Sequence, residues 1–221
     1  MKIINMALPD AANQHKFLVN TLAKISRRFR TLAMDKSFWN VTVHIEGTRE
    51  ENLREIDTLS QFPVKKLSIA FPWHCPPLLY ARHIKETATK CSQVEELRLP
   101  LVWSWPMLRT WQWSSLRSLT ITVGHGTFED VELHRSTPNI MFFHICSTLA
   151  YMPSLLPDMS GCRELEVVQI MGKFQHPSKV PFAFPRRLKK LCGYENILHW
   201  SPAQLEKHFN SCSLLRYEEA K

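Results

Sequence analysis

Few residues in this chain have the type and spacing to do chemistry. The densest set of metal-binding types is His74-Cys75 with His83 and Cys91. Zinc sites built from cysteine and histidine carry a characteristic short spacing, usually Cys-x-x-Cys, and none occurs here. Nucleophilic catalysis on a strand-turn-helix elbow needs Gly-x-Ser-x-Gly, which is also absent. With 6 glycines and no Gly-x-Gly-x-x-Gly, the chain lacks the close backbone approach that dinucleotides require. No catalytic residue, no metal and no cofactor is expected, and the chain is not expected to be an enzyme.

The 221 residues amount to about 1.5 average domains, so one elongated domain or two small ones fit. Hydrophobic residues at 44% and charged residues at 22% are those of a chain that buries a core. The net charge of +8 is concentrated. Residues 1–40 hold seven basic and two acidic side chains, and residues 173–192 hold six basic and none acidic. The second island contains Pro185-Arg186-Arg187-Leu188-Lys189-Lys190-Leu191. Such a run could bind phosphate groups, or it could be a strand with solvated outer edges. No nucleic-acid motif accompanies it, so nucleic acid is an unfavoured partner.

Six cysteines (Cys75, Cys91, Cys146, Cys162, Cys192, Cys212) raise the question of a disulfide framework. No apolar leader follows Met1-Lys2-Ile3-Ile4-Asn5, and a chain of this length does not need disulfide staples. Reduced, mostly buried thiols and a cytoplasmic or nuclear location are expected. Residues 136–157 carry no Asp, Glu, Lys or Arg. Their best apolar stretch, 140–156, is shorter than the about 20 residues of a membrane span, so no membrane association is expected.

The elements that must position any site emerge from a recurring pattern, apolar-x-x-apolar-x-apolar. It appears as Val64-x-x-Leu67-x-Ile69, Val94-x-x-Leu97-x-Leu99, Leu116-x-x-Leu119-x-Ile121, Ile140-x-x-Phe143-x-Ile145 and Leu165-x-x-Val168-x-Ile170. Weaker copies start at Leu188 and Leu214. The intervals of 30, 22, 24, 25, 23 and 26 residues average 25, within the about 20–29 of leucine-rich repeats. Cys91 and Cys162 each lie three residues ahead of a first apolar position, a flavour that resembles the cysteine-containing class of these repeats. Each copy predicts one short strand, apolar side inward, joined to the next by a return segment. Residues 78–90 and the segment after Ser201-Pro202-Ala203-Gln204 read as helices. The short interval from 94 to 116 predicts an extended, irregular return over 101–115.

Upstream, Phe17, Leu18, Leu22 and Ile25 share a helical face that Phe29 and Leu32 continue. Asn40 to Gly47 then alternates (Val41, Val43, Ile45), which predicts a first strand. The apolar helix, the run Ser26-Arg27-Arg28-Phe29-Arg30, the Leu32-Ala33-x-Asp35 group and the closing Ser37-Phe38-Trp39 resemble the second half of an F-box. Together with the repeats, they make the chain similar to F-box/leucine-rich-repeat proteins. The resemblance implies a truncated F-box-like helical segment over 1–39 and an α/β leucine-rich-repeat solenoid over 40–221. It further implies that Phe17, Leu18, Leu22, Ile25, Phe29 and Trp39 dock a Skp-type adaptor of a cullin–RING ubiquitin ligase. The expected function is then that of the ligase's substrate receptor. A scaffold that recruits no ligase is the alternative.

In the repeat, residues between the inward positions point the other way. That places Lys66, Ser68, Glu96, Arg98, Ser118, Thr120, Phe142, His144, Val167, Gln169 and Lys190 on one ribbon, the candidate partner-binding face. An ordinary solvated sheet face would show the same alternation; Phe142 and His144 fit that description least. Trp103, Trp105, Trp111 and Trp113 flank the short repeat and are expected in core or seam positions, with an aromatic cage as the other possibility.

Overall fold

A computed structural model describes residues 40–44, 49–60, 64–70, 77–102, 109, 111–123, 131–147, 156–172, 184–185, 187–192 and 216–217. Within these, the elements follow one another as β1 (Asn40–His44), α1 (Arg49–Ser60), β2 (Lys66–Ala70), α2 (Pro77–Lys90), β3 (Glu96–Val102) and β4 (Ser118–Val123). A short 3-10 turn (Leu133–Arg135), β5 (Phe142–Ser147), β6 (Val167–Met171), β7 (Lys190–Cys192) and β8 (Arg216–Tyr217) complete the order. The eight strands form a single parallel sheet in chain order. The α/β class and parallel strands expected from the sequence are therefore present. The helical segment expected over 1–39 and the helix expected after Ser201 lie outside the described residues.

The repeat pattern translates directly into register. Val41, Leu67, Leu97, Leu119, Phe143, Val168, Leu191 and Tyr217 occupy one column across all eight strands. Val43, Ile69, Leu99, Ile121, Ile145 and Ile170 form a second column. Every member of the two columns whose side chain is described is buried. Period-2 alternation with one apolar face is the cause, since a slip of one residue would exchange the faces.

A hydrogen-bonded turn precedes the strands. The N–H of Val94, Leu116, Ile140, Leu165 and Leu188 donates to the carbonyl three residues earlier, on Cys91, Trp113, Thr137, Cys162 and Pro185, at 3.1–3.3 Å. These first apolar residues are all buried. Immediately after each turn comes a shared acceptor. The carbonyl of Lys65 accepts from the N–H groups of both Glu95 and Glu96, at 2.8 and 2.9 Å. Glu95, Arg117, Met141 and Glu166 each do the same for the next strand. Pro100 has no N–H to give, and there the β3–β4 register shifts between Leu99 and Val102.

Interval length decides what returns the chain. The 30 residues between Leu67 and Leu97 hold α2, while the 24 between Leu119 and Phe143 hold, among the described residues, the 3-10 turn. α2 opens on Pro77, where a missing N–H costs nothing, and buries His83, Ile84, Thr87 and Ala88 on one side. Its Lys90 forms an ion pair with Asp57 of α1. The α1 helix is absent from the sequence expectations. Its apolar residues reduce to Leu53, Ile56 and Leu59 among charges, too thin a stripe to stand out. The later returns also pair with each other: Leu133 N–H donates to the Asp158 carbonyl at 2.8 Å and Asp158 N–H to the Val131 carbonyl at 2.6 Å.

Trp111 and Trp113 are buried, the core position expected of them, and so form no exposed cage. Trp103 and Trp105 lie outside the described residues. The described part of the stretch 136–157 holds β5, and no helix among the described residues is long and apolar enough to cross a membrane.

Candidate functional site

All-parallel sheets are normally covered on both faces, and their strands read as continuous apolar runs. Here one face is the core, and no element among the described residues covers the other, called the open face below. The open face comprises three columns, all set by the strand register. The first runs Lys66, Glu96, Ser118, Phe142, Val167, Lys190 and Arg216. The second runs Ser68, Arg98, Thr120, His144, Gln169 and Cys192. The third includes Ala70, Thr122, Cys146 and Met171. Thus the structure brings together all the residues expected on the ribbon, in two adjacent lines.

Among the described residues, Phe142 at 45% exposure and Met171 at 53% are the large hydrophobic side chains left in solvent. They sit on neighbouring strands at opposite ends of the ribbon's width. Between them His144 and Gln169 face each other in register. Val167 beside Phe142, and Cys146 beside Met171, extend the apolar character inward. Met171, Thr122 and Cys146 were not among the expected residues. The alternation that selects Gln169 selects Met171 two places later, so carrying it one step further along β4–β6 finds them.

Burial, and secondarily the charge of Arg98, holds the His144 imidazole below its ordinary titration range, so the ring is neutral at pH 7. Its Nε2 is sequestered and makes no hydrogen bond within the protein. The Cys146 Sγ lies 3.0 Å from Thr122 Oγ1. At the β2–β3 end, Lys66 Nζ meets Glu96 Oε1 at 2.7 Å, and below it Lys65 Nζ meets Glu95 Oε1 at 2.6 Å.

The hydrogen bond and charge of Lys65, with Arg117 adding to them, hold the Glu95 carboxyl below the usual carboxylate range. A depressed folded-state value stabilises the fold above the unfolded pKa, and that contribution disappears as pH falls through the depressed value. Both partners are about two-fifths exposed, so screening leaves a contribution of only about 0.2–1 kcal/mol. Glu95→Gln is expected to lower the melting temperature slightly at pH 7, with the difference from the parent vanishing on acidification. A difference that instead grows toward low pH would contradict this assignment.

Two cations of the basic island are paired with glutamates. Lys189 Nζ lies 2.6 Å from Glu166 Oε1, and Arg187 Nη1 lies 3.6 Å from Glu164 Oε1, both one strand earlier. The last residues of this run, Lys190 and Leu191, lie in β7, with Lys189 exposed just before it.

No group of three or more His, Cys, Asp or Glu side chains among the described residues could hold a metal ion. Cys91 and Cys162 are buried free thiols in the turn slot, and Cys146 and Cys192 are half-buried free thiols on the open face. His74 and Cys75 lie outside the described residues, as do Phe17, Leu18, Leu22, Ile25, Phe29 and Trp39.

No protein-family model matches the chain, and no curated protein or solved structure is significantly similar to it.

Proposed function

We propose that the chain is a protein-interaction module, a leucine-rich-repeat solenoid whose open sheet face binds a protein target. On this reading, residues 17–39 dock a Skp-type adaptor, and the protein serves as the substrate-recognition subunit of an SCF-type cullin–RING ubiquitin ligase. It performs no reaction itself. Holding target and adaptor on one chain raises the effective concentration of the target's lysines near the ligase.

One observation carries the binding role: a parallel sheet, ordinarily covered twice, has one face that no described element covers, with Phe142 and Met171 exposed on it. The constant period and the chain-order sheet support the repeat architecture. The ligase role rests on the F-box resemblance of 17–39. A scaffold without ligase recruitment is favoured by the fact that β2–β7 supply the open face without any residue of that segment. The pairing of Arg187 and Lys189 with glutamates weighs against a nucleic-acid role.

Co-purification with a Skp-type adaptor separates the two readings. Under the ligase reading the full chain retains the adaptor stoichiometrically, and Leu22→Glu with Ile25→Glu reduces retention by about tenfold or more, the scale of losing buried apolar anchors. If the full chain retains no adaptor, the scaffold reading stands.

A further inference from the structure

We propose that Arg98, Thr120 and His144 form a carboxylate-binding row on the open face. The target presents one acidic side chain to this row and lays a bulky apolar side chain on Phe142. The inference rests on the reading of this face as the target-binding surface and names the chemistry of the target.

The three residues stand in register on adjacent strands, Arg98 on β3, Thr120 on β4 and His144 on β5. Arg98 is exposed and, among the described residues, no carboxylate is paired with it. A guanidinium so placed can hold a planar carboxylate through two parallel N–H donors. The half-buried Thr120 hydroxyl beside it can donate a further hydrogen bond to the same anion. His144 closes the row without adding charge. Burial, and secondarily the charge of Arg98, keeps its ring neutral at pH 7, so the row carries the one positive charge of Arg98. That charge balances a carboxylate, whereas a phosphate monoester, near its dianionic form at this pH, would stay partly uncompensated.

The apolar contact is Phe142, 45% exposed, with Val167 beside it on β6. Phe142 lies two strands from Arg98 and two residues before the position level with it. With strands about 4.8 Å apart and about 3.3 Å per residue, the separation is about 12 Å. An extended segment brings side chains about four positions apart to the same side at about 13 Å, whereas on a helix that spacing gives only about 6 Å. The matching segment is therefore extended. Among the described residues the acid of this face is Glu96, which Lys66 engages at 2.7 Å, so the same face of a second copy offers Arg98 no free carboxylate. A polynucleotide would need several cations in line, and this row has one.

The test uses fluorescence anisotropy with labelled peptides of about twelve residues, carrying Glu and Trp about four positions apart in either order. In the controls Gln, Lys or phosphoserine replaces Glu, or Ser replaces Trp. In one of the two orders the Glu–Trp peptide is expected to bind about fivefold or more tightly than its Gln, Lys and Ser counterparts, and more tightly than the phosphoserine peptide. Phe142→Ser is expected to weaken it several-fold. Thr120→Val should also weaken it, with Thr120→Ser restoring it. Arg98→Glu should weaken it about tenfold or more and shift preference toward the Lys peptide, with Arg98→Gln intermediate. Thermal unfolding checks that each variant remains folded. If the Glu, Gln and Lys peptides bind equally and all weaken with Phe142→Ser, the face still binds targets and the carboxylate row is wrong. If no peptide binds, or none responds to any substitution, both readings fail together. Tighter binding of the phosphoserine peptide overturns the proposal. Competition by single-stranded oligonucleotide that is lost with Arg98→Glu, or a dimer abolished by Phe142→Ser, does so too.

Discussion

Phe143→Ala is expected to cost about 3–5 kcal/mol, while Phe142→Ala, one residue earlier and of the same type, should change stability by less than about 1 kcal/mol. The contrast isolates the facing of β5 from its composition. Phe143 is 1% exposed and stands in register with Leu119 and Val168, smaller residues on both sides. Truncating it leaves a cavity that neither neighbour can fill, because both are tied to the same parallel ladder. Phe142 is 45% exposed and loses little contact when shortened. Denaturant unfolding of the two variants, at unchanged slope, measures the difference. Reversed costs would mean that β5 sits one residue out of register, and equal costs that neither side chain is enclosed in the core.

Thiol reactivity should split the cysteines by more than an order of magnitude. Burial pushes the Cys91 thiol up to about 11, against the charge of Lys90, and the Cys162 thiol up to about 12, with Asp158 adding to the effect. The thiolate is the nucleophile, so at pH 8 only about one in a thousand Cys91 side chains, and fewer of Cys162, is in the reactive form. Enclosure slows attack further. Cys146 and Cys192, half-exposed on the open face, lack that enclosure. Alkylation followed by mass spectrometry should therefore modify Cys146 and Cys192 in the native protein. Cys91 and Cys162 should react at least about a hundredfold more slowly until denaturant is added. Rapid native labelling of Cys162 would place its turn outside the core.

Much of the sheet was legible in the sequence because the signal is backbone periodicity repeated at near-constant spacing. Each strand opens two residues after a first apolar position, as with Leu116 and Ser118. The face assignment of Lys66 through Lys190 follows from the same alternation. What stayed hidden has physical causes. α1 has too few apolar residues to announce itself, and its partner Lys90 lies 33 residues from Asp57. The cysteine slot looked like a family flavour, yet Trp113, Thr137 and Pro185 occupy it too, because only its carbonyl is required. Pairing of Lys189 with Glu166 depends on two strands lying side by side, which no local window contains. Whether Phe142 and Met171 stay uncovered likewise depends on the whole fold.

The shared carbonyls have a consequence for how such a chain can change. Because Lys65, Glu95, Arg117, Met141 and Glu166 each hold two successive amides of the next strand, the five junctions from β2 to β7 share one geometry whatever their side chains. A strand with its turn and return is thus interchangeable, and the chain can lengthen or shorten in whole units. Excising residues 117–140, which would seat Met141 where Arg117 stood, preserves every remaining junction. Losing a single residue inside a strand turns the core column outward. Variation in this architecture is quantised, and the face is free to diversify residue by residue while its length steps by about 25 residues at a time.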